Sequence, residues 1–254
     1  MILGSEVDSI EWTLRFEGAD AATPVTSIPK IMRHHGWKNG AWLLDTWLSR
    51  ASAIFPTYGP TVTNVIKMAW VLKFQRAKEV FDSMVAARVW ANAPAQKEIA
   101  RMLKKSGYLT AAPMSRPFGN LNAHIQLLDM DYVNQRSVTF GVGNLDDLSA
   151  ALGNFTLRVA VAGGVTPLTA SKFHVIINEV AIYVRDSFDF EGEQFLGFWD
   201  DSDNSVSMLN PLSGTSISNQ DFRDWRAATG LGGDFLVFSD AHRLRLTTPD
   251  EFDV

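Results

Sequence analysis

The sequence contains no cysteine. That excludes disulfides, thiolate zinc sites, iron–sulfur clusters and cysteine nucleophiles. It has no run of about 18 apolar residues, so no transmembrane helix and no integral membrane segment are expected. The opening stretch Met1-Ile2-Leu3-Gly4-Ser5-Glu6 has no basic region followed by an apolar core, so no secretory signal is expected there. No G-x-S-x-G elbow and no P-loop occur, and Gly141-Val142-Gly143 lacks the third glycine of a dinucleotide fingerprint. The five histidines, His34, His35, His124, His174 and His242, never take the H-E-x-x-H spacing. A formal charge of −5 leaves no general basic face, so no nucleic-acid partner is expected.

What is present is a globular composition: 254 residues, 46% hydrophobic and 20% charged. A chain of this size buries roughly 70–75% of its unfolded surface and needs no staples. Its charge is uneven. Residues 1–150 hold 16 basic and 13 acidic side chains, whereas 151–254 hold 7 and 15. Ala, Met, Trp and Lys dominate the first half, and Phe, Val, Asp, Ser and Gly the second. This predicts an α+β fold with N-terminal helices packed on a C-terminal, largely antiparallel sheet. The division falls at 1–118 and 119–254, as two parts or as one continuous α+β domain.

Helical spacing of Val65, Met68, Leu72, Ala77, Val80 and Met84, with Trp70, Phe74, Phe81 and Val85 on a neighbouring stripe, predicts one helix of about 27 residues. Asn64 is its expected N-cap and Pro94 its limit. Further helices are expected over 28–49, broken at Gly36, over 95–106, stopped by Gly107, and over 146–152. Strands are expected at 124–128, 137–140, 155–161 and 173–185, with Gly163-Gly164 as a turn. The strand at 173–185 is long enough to need a bend or bulge. Residues 234–239 and 243–246 are expected to form the last strand pair.

Chemistry concentrates after the long strand, in Arg185-Asp186-Ser187-Phe188-Asp189-Phe190-Glu191-Gly192-Glu193-Gln194. Asp186 and Asp189, three residues apart at a strand end, can share a pocket. Neighbouring carboxylates raise one pKa and leave the other ionised, which suits acid–base or metal chemistry. The plainer reading is a loop in which Asp186 caps a turn and Asp189 pairs with Arg185. Arg223 and Arg226 lie three apart and on a helix point the same way, able to clamp a phosphate or carboxylate. A local ion-pair network with Asp221 and Asp224 is the alternative. His242, just after Asp240, is a candidate general base. The candidate catalytic set is therefore Asp186, Asp189, Arg226 and His242, with Arg185, Arg223, Asp234 and Asp240 as binding residues. No metal ligands are assigned. The cofactor is unknown, a divalent metal being compatible with the chemistry. Asp200-Asp201-Ser202-Asp203-Asn204-Ser205 opens like a calcium loop but lacks its glycine and bidentate glutamate, and reads as a solvated acidic loop.

Several stretches carry a resemblance when taken in order. They are Ile28-Pro29 with Gly36-Trp37; Met68-Ala69-Trp70-Val71-Leu72 with Phe74 and Arg76-Ala77; Asp146 to Phe155; Tyr183 to Phe190 with Gln194, Leu196-Gly197 and Trp199; and Phe222-Arg223-Asp224-Trp225-Arg226 with Gly232-Gly233-Asp234-Phe235. Together they resemble a family of bacterial proteins of unknown function often encoded near type VI secretion components. A strand ending in Asp186-Ser187-Phe188-Asp189 is also similar to the D-x-Y-D motif of colicin M-like toxins, which cleave the pyrophosphate of the lipid-linked peptidoglycan precursor. Phe188 replaces the tyrosine, and Glu193, Gln194 and Phe195 stand where a His-Arg pair is expected. Arg226 or His242 would then supply those groups. The resemblances imply an antibacterial effector hydrolysing that precursor or another phosphate ester. The other implied role is a non-catalytic adaptor, chaperone or immunity protein. Implied partners are type VI secretion components or a cognate immunity or effector protein. Synthesis is in the bacterial cytoplasm, with delivery to a target periplasm if the chain is an effector.

Overall fold

The structure is a computed structural model and describes residues 24–54, 59–106, 114–141, 143–169 and 171–254. The opening Met1–Glu6 stretch and Gly107 lie outside the described residues. The fold is α+β, with helices mainly N-terminal and strands mainly C-terminal.

The helices start and stop where local chemistry dictates. Helix α1 (Ile28–His34) has Pro29 in its first turn, where a missing N–H costs nothing. Gly36, at φ +76°, turns the chain into α2 (Lys38–Ser49). The expected helix across 65–92 is instead two, α3 (Met68–Val71) and α4 (Gln75–Ala86). Lys67 and Phe74 are extended, so neither helix runs into its neighbour and Asn64 caps nothing. The Asp240 carboxylate accepts from Met68 N at 2.7 Å and so starts α3 from the far side of the sequence. Asn92 caps α5 (Ala93–Lys105), accepting from Ala95 N at 3.2 Å.

His124–Leu128, expected as a strand, contains the short helix α6 (Ile125–Leu128). A four-residue apolar run has no period that separates the two forms. Helix α7 (Asp147–Leu152) opens on a capping box between Asp146 and Ser149. Arg76 of α4 grips the same Asp146 with two bonds of 2.7 and 2.6 Å. Helices α2 and α7 meet at Gly40, where a Cβ would lie 2.7 Å from that of Ala150.

The main sheet has seven strands: β1 (Thr61–Val62), β2 (Arg116–Phe118), β3 (Asn134–Val138), β4 (Phe155–Pro167), β5 (Phe173–Phe188), β9 (Phe235–Phe238) and β10 (His242–Asp253). Strands β4 and β5 form its antiparallel spine, from Thr156↔Arg185 to Pro167↔Phe173. Each spine strand carries two shorter partners end to end. Strands β3 and β2 lie along β4, and β9 and β10 lie along β5. Strand β1 runs parallel to β9. The segments 234–239 and 243–246 are therefore both strands, but each pairs with β5 and not with the other. Gly163-Gly164 makes no turn. Strand β4 continues through it, and the β4–β5 register shifts between Ala162 and Gly163, which is the bulge that the length of β5 required. A small second sheet, in the order β7-β6-β8, is formed by β6 (Phe195–Asp200), β7 (Ser205–Ser207) and β8 (Thr215–Ser218). Helix α8 (Asn219–Thr229) follows directly, capped by Ser218 with Asp221 and ended by Gly230 in the left-handed region.

One face of the main sheet and the helical layer share a single core that includes Ile31, Leu44, Trp47, Met84, Ile182, Val184 and Phe188. The other face is a smaller cluster around Leu121, Leu128, Tyr183 and Phe238. There the Tyr183 hydroxyl donates to Asp129 at 2.9 Å, and Arg158 holds the same carboxylate at 2.9 and 2.7 Å while covering the Tyr132 ring. No helix among the described residues is long and apolar enough to cross a membrane.

Candidate functional site

Alternation along β5 decides where its acid groups go. Ile182, Val184 and Phe188 face the helical core, and Tyr183 faces the opposite cluster. Period two therefore turns Asp186 toward the helices and Arg185 away from them. Above Asp186 the packing of α1, α2 and α7 leaves a cavity of about 250 Å³. Its floor includes Ile28, Met32 and Leu44, and its walls include Trp37, Phe190 and Trp199. Asp186, Asp189 and Glu191 all line it, and none of its described lining residues is Lys, Arg or His.

Burial, and then the charge of Asp189, push the Asp186 carboxyl well above the usual carboxylate range. The Ser187 N–H and the Arg185 charge oppose the shift without cancelling it. The shift favours the protonated acid, and the side chain is half-buried where it borders the cavity. Asp189 accepts from Glu191 N at 3.2 Å and has no cation against it in the described residues. Two neighbouring carboxyls thus sit in different environments, one dry and one in the loop at the cavity edge. This is the arrangement that splits acid and base roles.

The sign of the Asp186 shift gives a testable expectation. A carboxyl with a raised folded pKa favours folding below its unfolded pKa, and that contribution is lost as pH rises through the folded pKa. Asp186→Asn is therefore expected to match the wild type near pH 4 and to exceed it at pH 8. The gain should read as roughly 2–4 °C in Tm per kcal/mol in thermal scans across that range. A variant less stable than the wild type at pH 8 would refute the buried-acid assignment.

The other candidates divide between the site and its frame. Arg226 does not line the cavity. It is buried, pairs with Asp234, stacks 5.0 Å from the Trp47 ring, and comes to 4.0 Å from Glu191. Trp47 Nε1 donates to the same Asp234 at 2.9 Å. Asp234 is thus an anchor for Arg226 and Trp47, at the rear of the carboxylate loop. Arg223 staples that loop, donating to the carbonyls of Phe190 at 2.7 Å and Gly192 at 2.6 Å and pairing with Glu193 at 3.2 Å. Both arginines of α8 do turn toward this loop, as their spacing suggested, but they hold protein groups.

Arg185 does not pair with Asp189; its Nε is buried without a partner. Asp240 caps α3. His242 pairs with Ile182 and packs its ring 5.1 Å from Phe81. At about 3.3 Å per residue that pairing lies some 13 Å along β5 from Asp186, so His242 is not brought to the carboxylates. In the acidic Asp200–Ser205 turn Asp200 accepts from Ser202 N and Oγ and Asp203 from Ser205 N, while Asp201 reaches across the fold to accept from Ser27 Oγ at 3.1 Å. No group of three or more His, Asp or Glu that could hold a metal ion occurs among the described residues. Sequence reasoning did not single out Glu191, although it stands two residues from Asp189 in the same loop. Trp37 and Trp199 also escaped it, because only the fold brings them together, with ring centroids 6.4 Å apart.

Comparison with protein families matches residues 23–216 and 212–254 to the model described as "Family of unknown function (DUF6402)". The chain belongs to this family. The DUF6402 match carries no link to type VI secretion or to colicin M-like toxins. No curated protein and no solved structure matches significantly. The function of this DUF6402 member must therefore be argued from the cavity itself.

Proposed function

We propose that the chain is an antibacterial effector of a type VI secretion system and that its Asp186–Asp189 cavity carries out acid–base hydrolysis. The observation behind this reading is that Asp186, its carboxyl pushed up by burial, lines one cavity with Asp189, which has no cation against it among the described residues. In the reaction Asp189 takes a proton from a water molecule as that water attacks. Asp186 gives its proton to the departing oxygen, so the bond is replaced by two hydroxyl-bearing ends and the two carboxyls exchange protonation states. The family likeness read from the sequence supplies the secretion setting. Because none of the described lining residues is cationic, an uncharged glycosidic or ester bond suits the cavity better than a bare phosphate ester. The candidate ligands do not fit a metal centre, and no step is routed through one.

Expression in a susceptible bacterium tests the proposal. The wild type directed to the periplasm is expected to arrest growth, and purified protein to release product from peptidoglycan or its lipid-linked precursor. Asp189→Asn should lower the rate at least 10²-fold with the fold intact by circular dichroism. Absence of both toxicity and product release would overturn it. A second reading, a non-catalytic accessory, is favoured by a specific surface. Leu209 and Leu212, 76% and 92% exposed, stand on a turn fixed by Ser207 and Asn210. A non-toxic chain that co-purifies with a neighbouring gene product, and loses it in Leu212→Asp, would establish that role.

A further inference from the structure

We infer that the cavity receives the positively charged end of an organic ligand, an alkylammonium group. The inference rests on the same site as the proposed reaction but concerns what the site recognises.

The first observation is a deficit of positive charge. Asp189, Glu191 and Asp234 are neighbours: the charge of Asp189 reaches Asp234, and Arg226 lies between Asp234 and Glu191. Arg226 is committed to Asp234 and comes to 4.0 Å from Glu191, while Arg223 is spent on Glu193 and on the Phe190 and Gly192 carbonyls. Asp189 is left with a single backbone N–H, and Asp186 has no side-chain hydrogen-bond partner among the described residues. The cavity therefore presents a negative potential that no described lining residue neutralises, and a low-dielectric floor strengthens that potential.

The second observation is the character of the walls. Trp37, Phe190 and Trp199 line the cavity over the apolar floor, and aromatic rings of this kind attract a cation through the negative charge of their π faces. A hard metal ion needs six or more oxygen ligands, or nearly so, and the carboxylates do not converge to give them. An alkylammonium needs neither. Its methyl or methylene groups replace water with aromatic and aliphatic surface, and its charge is answered by Asp189 and Glu191. The volume of about 250 Å³ is close to the lower end of small-ligand sites, enough for the head of a ligand whose remainder lies outside.

Choline and its uncharged isostere 3,3-dimethylbutanol make the test, titrated into the full chain and followed by tryptophan fluorescence and calorimetry. Choline is expected to bind at least tenfold more tightly than the alcohol. Asp189→Asn should weaken choline at least fivefold, Glu191→Gln less, and neither should alter binding of the alcohol. Equal binding of the two probes, no choline binding up to 100 mM, or an unchanged choline affinity in folded Asp189→Asn would each overturn the inference. Equilibrium binding is separable from turnover. Selective choline binding without hydrolysis of any cell-wall substrate would retain this inference and remove the proposed reaction. Hydrolysis without charge selectivity would do the reverse.

Discussion

Arg226→Met is expected to lower the unfolding free energy by about 3–5 kcal/mol, the range seen when one partner of a buried ion pair is removed. Arg226 and Asp234 expose only 8% and 2% of their side chains. Methionine fills much of the same volume and keeps contact with Trp47, so the loss reports the charge. It leaves Asp234 in the core with one donor, Trp47 Nε1. The sign with pH follows. Without the guanidinium the Asp234 carboxyl is pushed further up, so the variant is penalised most above that raised pKa and least in acid, where the group is protonated. Urea unfolding at pH 7.5 and pH 4.5 should show a large deficit at the first and a small one at the second. Adding Asp234→Asn should recover most of the loss at pH 7.5, since it removes the orphaned charge. A pH-independent deficit would mean that packing, and not charge, makes the arginine necessary.

Gly163→Ala should be comparably damaging, by about 4 kcal/mol or through failure to fold, whereas Gly164→Ala should cost less than about 1 kcal/mol. A Cβ on Gly163 would sit 1.8 Å from the Ile176 carbonyl oxygen, which is backbone and cannot swing aside. The same atom on Gly164 first meets the Ser115 hydroxyl at 3.5 Å, an ordinary contact. Both substitutions add one methyl group to adjacent residues of one strand, so propensity cannot separate them. Their contrast in thermal denaturation measures how closely β4 and β5 approach at the bulge. Equal stability of the two variants would show that the spine relaxes there.

Much of this architecture is written in local chemistry. Gly36, the Asn92–Pro94 pair and the Asp146–Ser149 box each act within a few residues, and the helices they bound stand where the sequence places them. The β-branched run of β5 is equally plain. What escaped prediction depends on distant partners. The break between α3 and α4 has no glycine or proline to mark it; α3 is started by Asp240, 172 positions away. Glycines at 163 and 164 look like a turn, but β4 runs straight through them and uses Gly163 for close approach to β5. Strands β9 and β10 look like a hairpin by adjacency, but β5, at 16 residues, has room for both. At the site, Asp186 and Asp189 are legible because β5 ends between them, which frees Asp189 from the alternation that would turn it to the opposite face. The aromatic walls are not, because they join Trp37 to Phe190 and Trp199 across long stretches of sequence. Arg226 and Asp234 are only eight residues apart, but spacing alone does not show that the chain turns back at Gly230 to pair them.

The two strands that complete one side of β5 come after it in the chain. Until residues 235–253 have been made, the Val180–Phe188 backbone has an open hydrogen-bonding edge, and neither Asp234 nor its grip on Arg226 and Trp47 exists. The frame around Asp186 and Asp189 is therefore supplied by segments made after the carboxylates themselves, and a shorter nascent chain holds those acid groups without it.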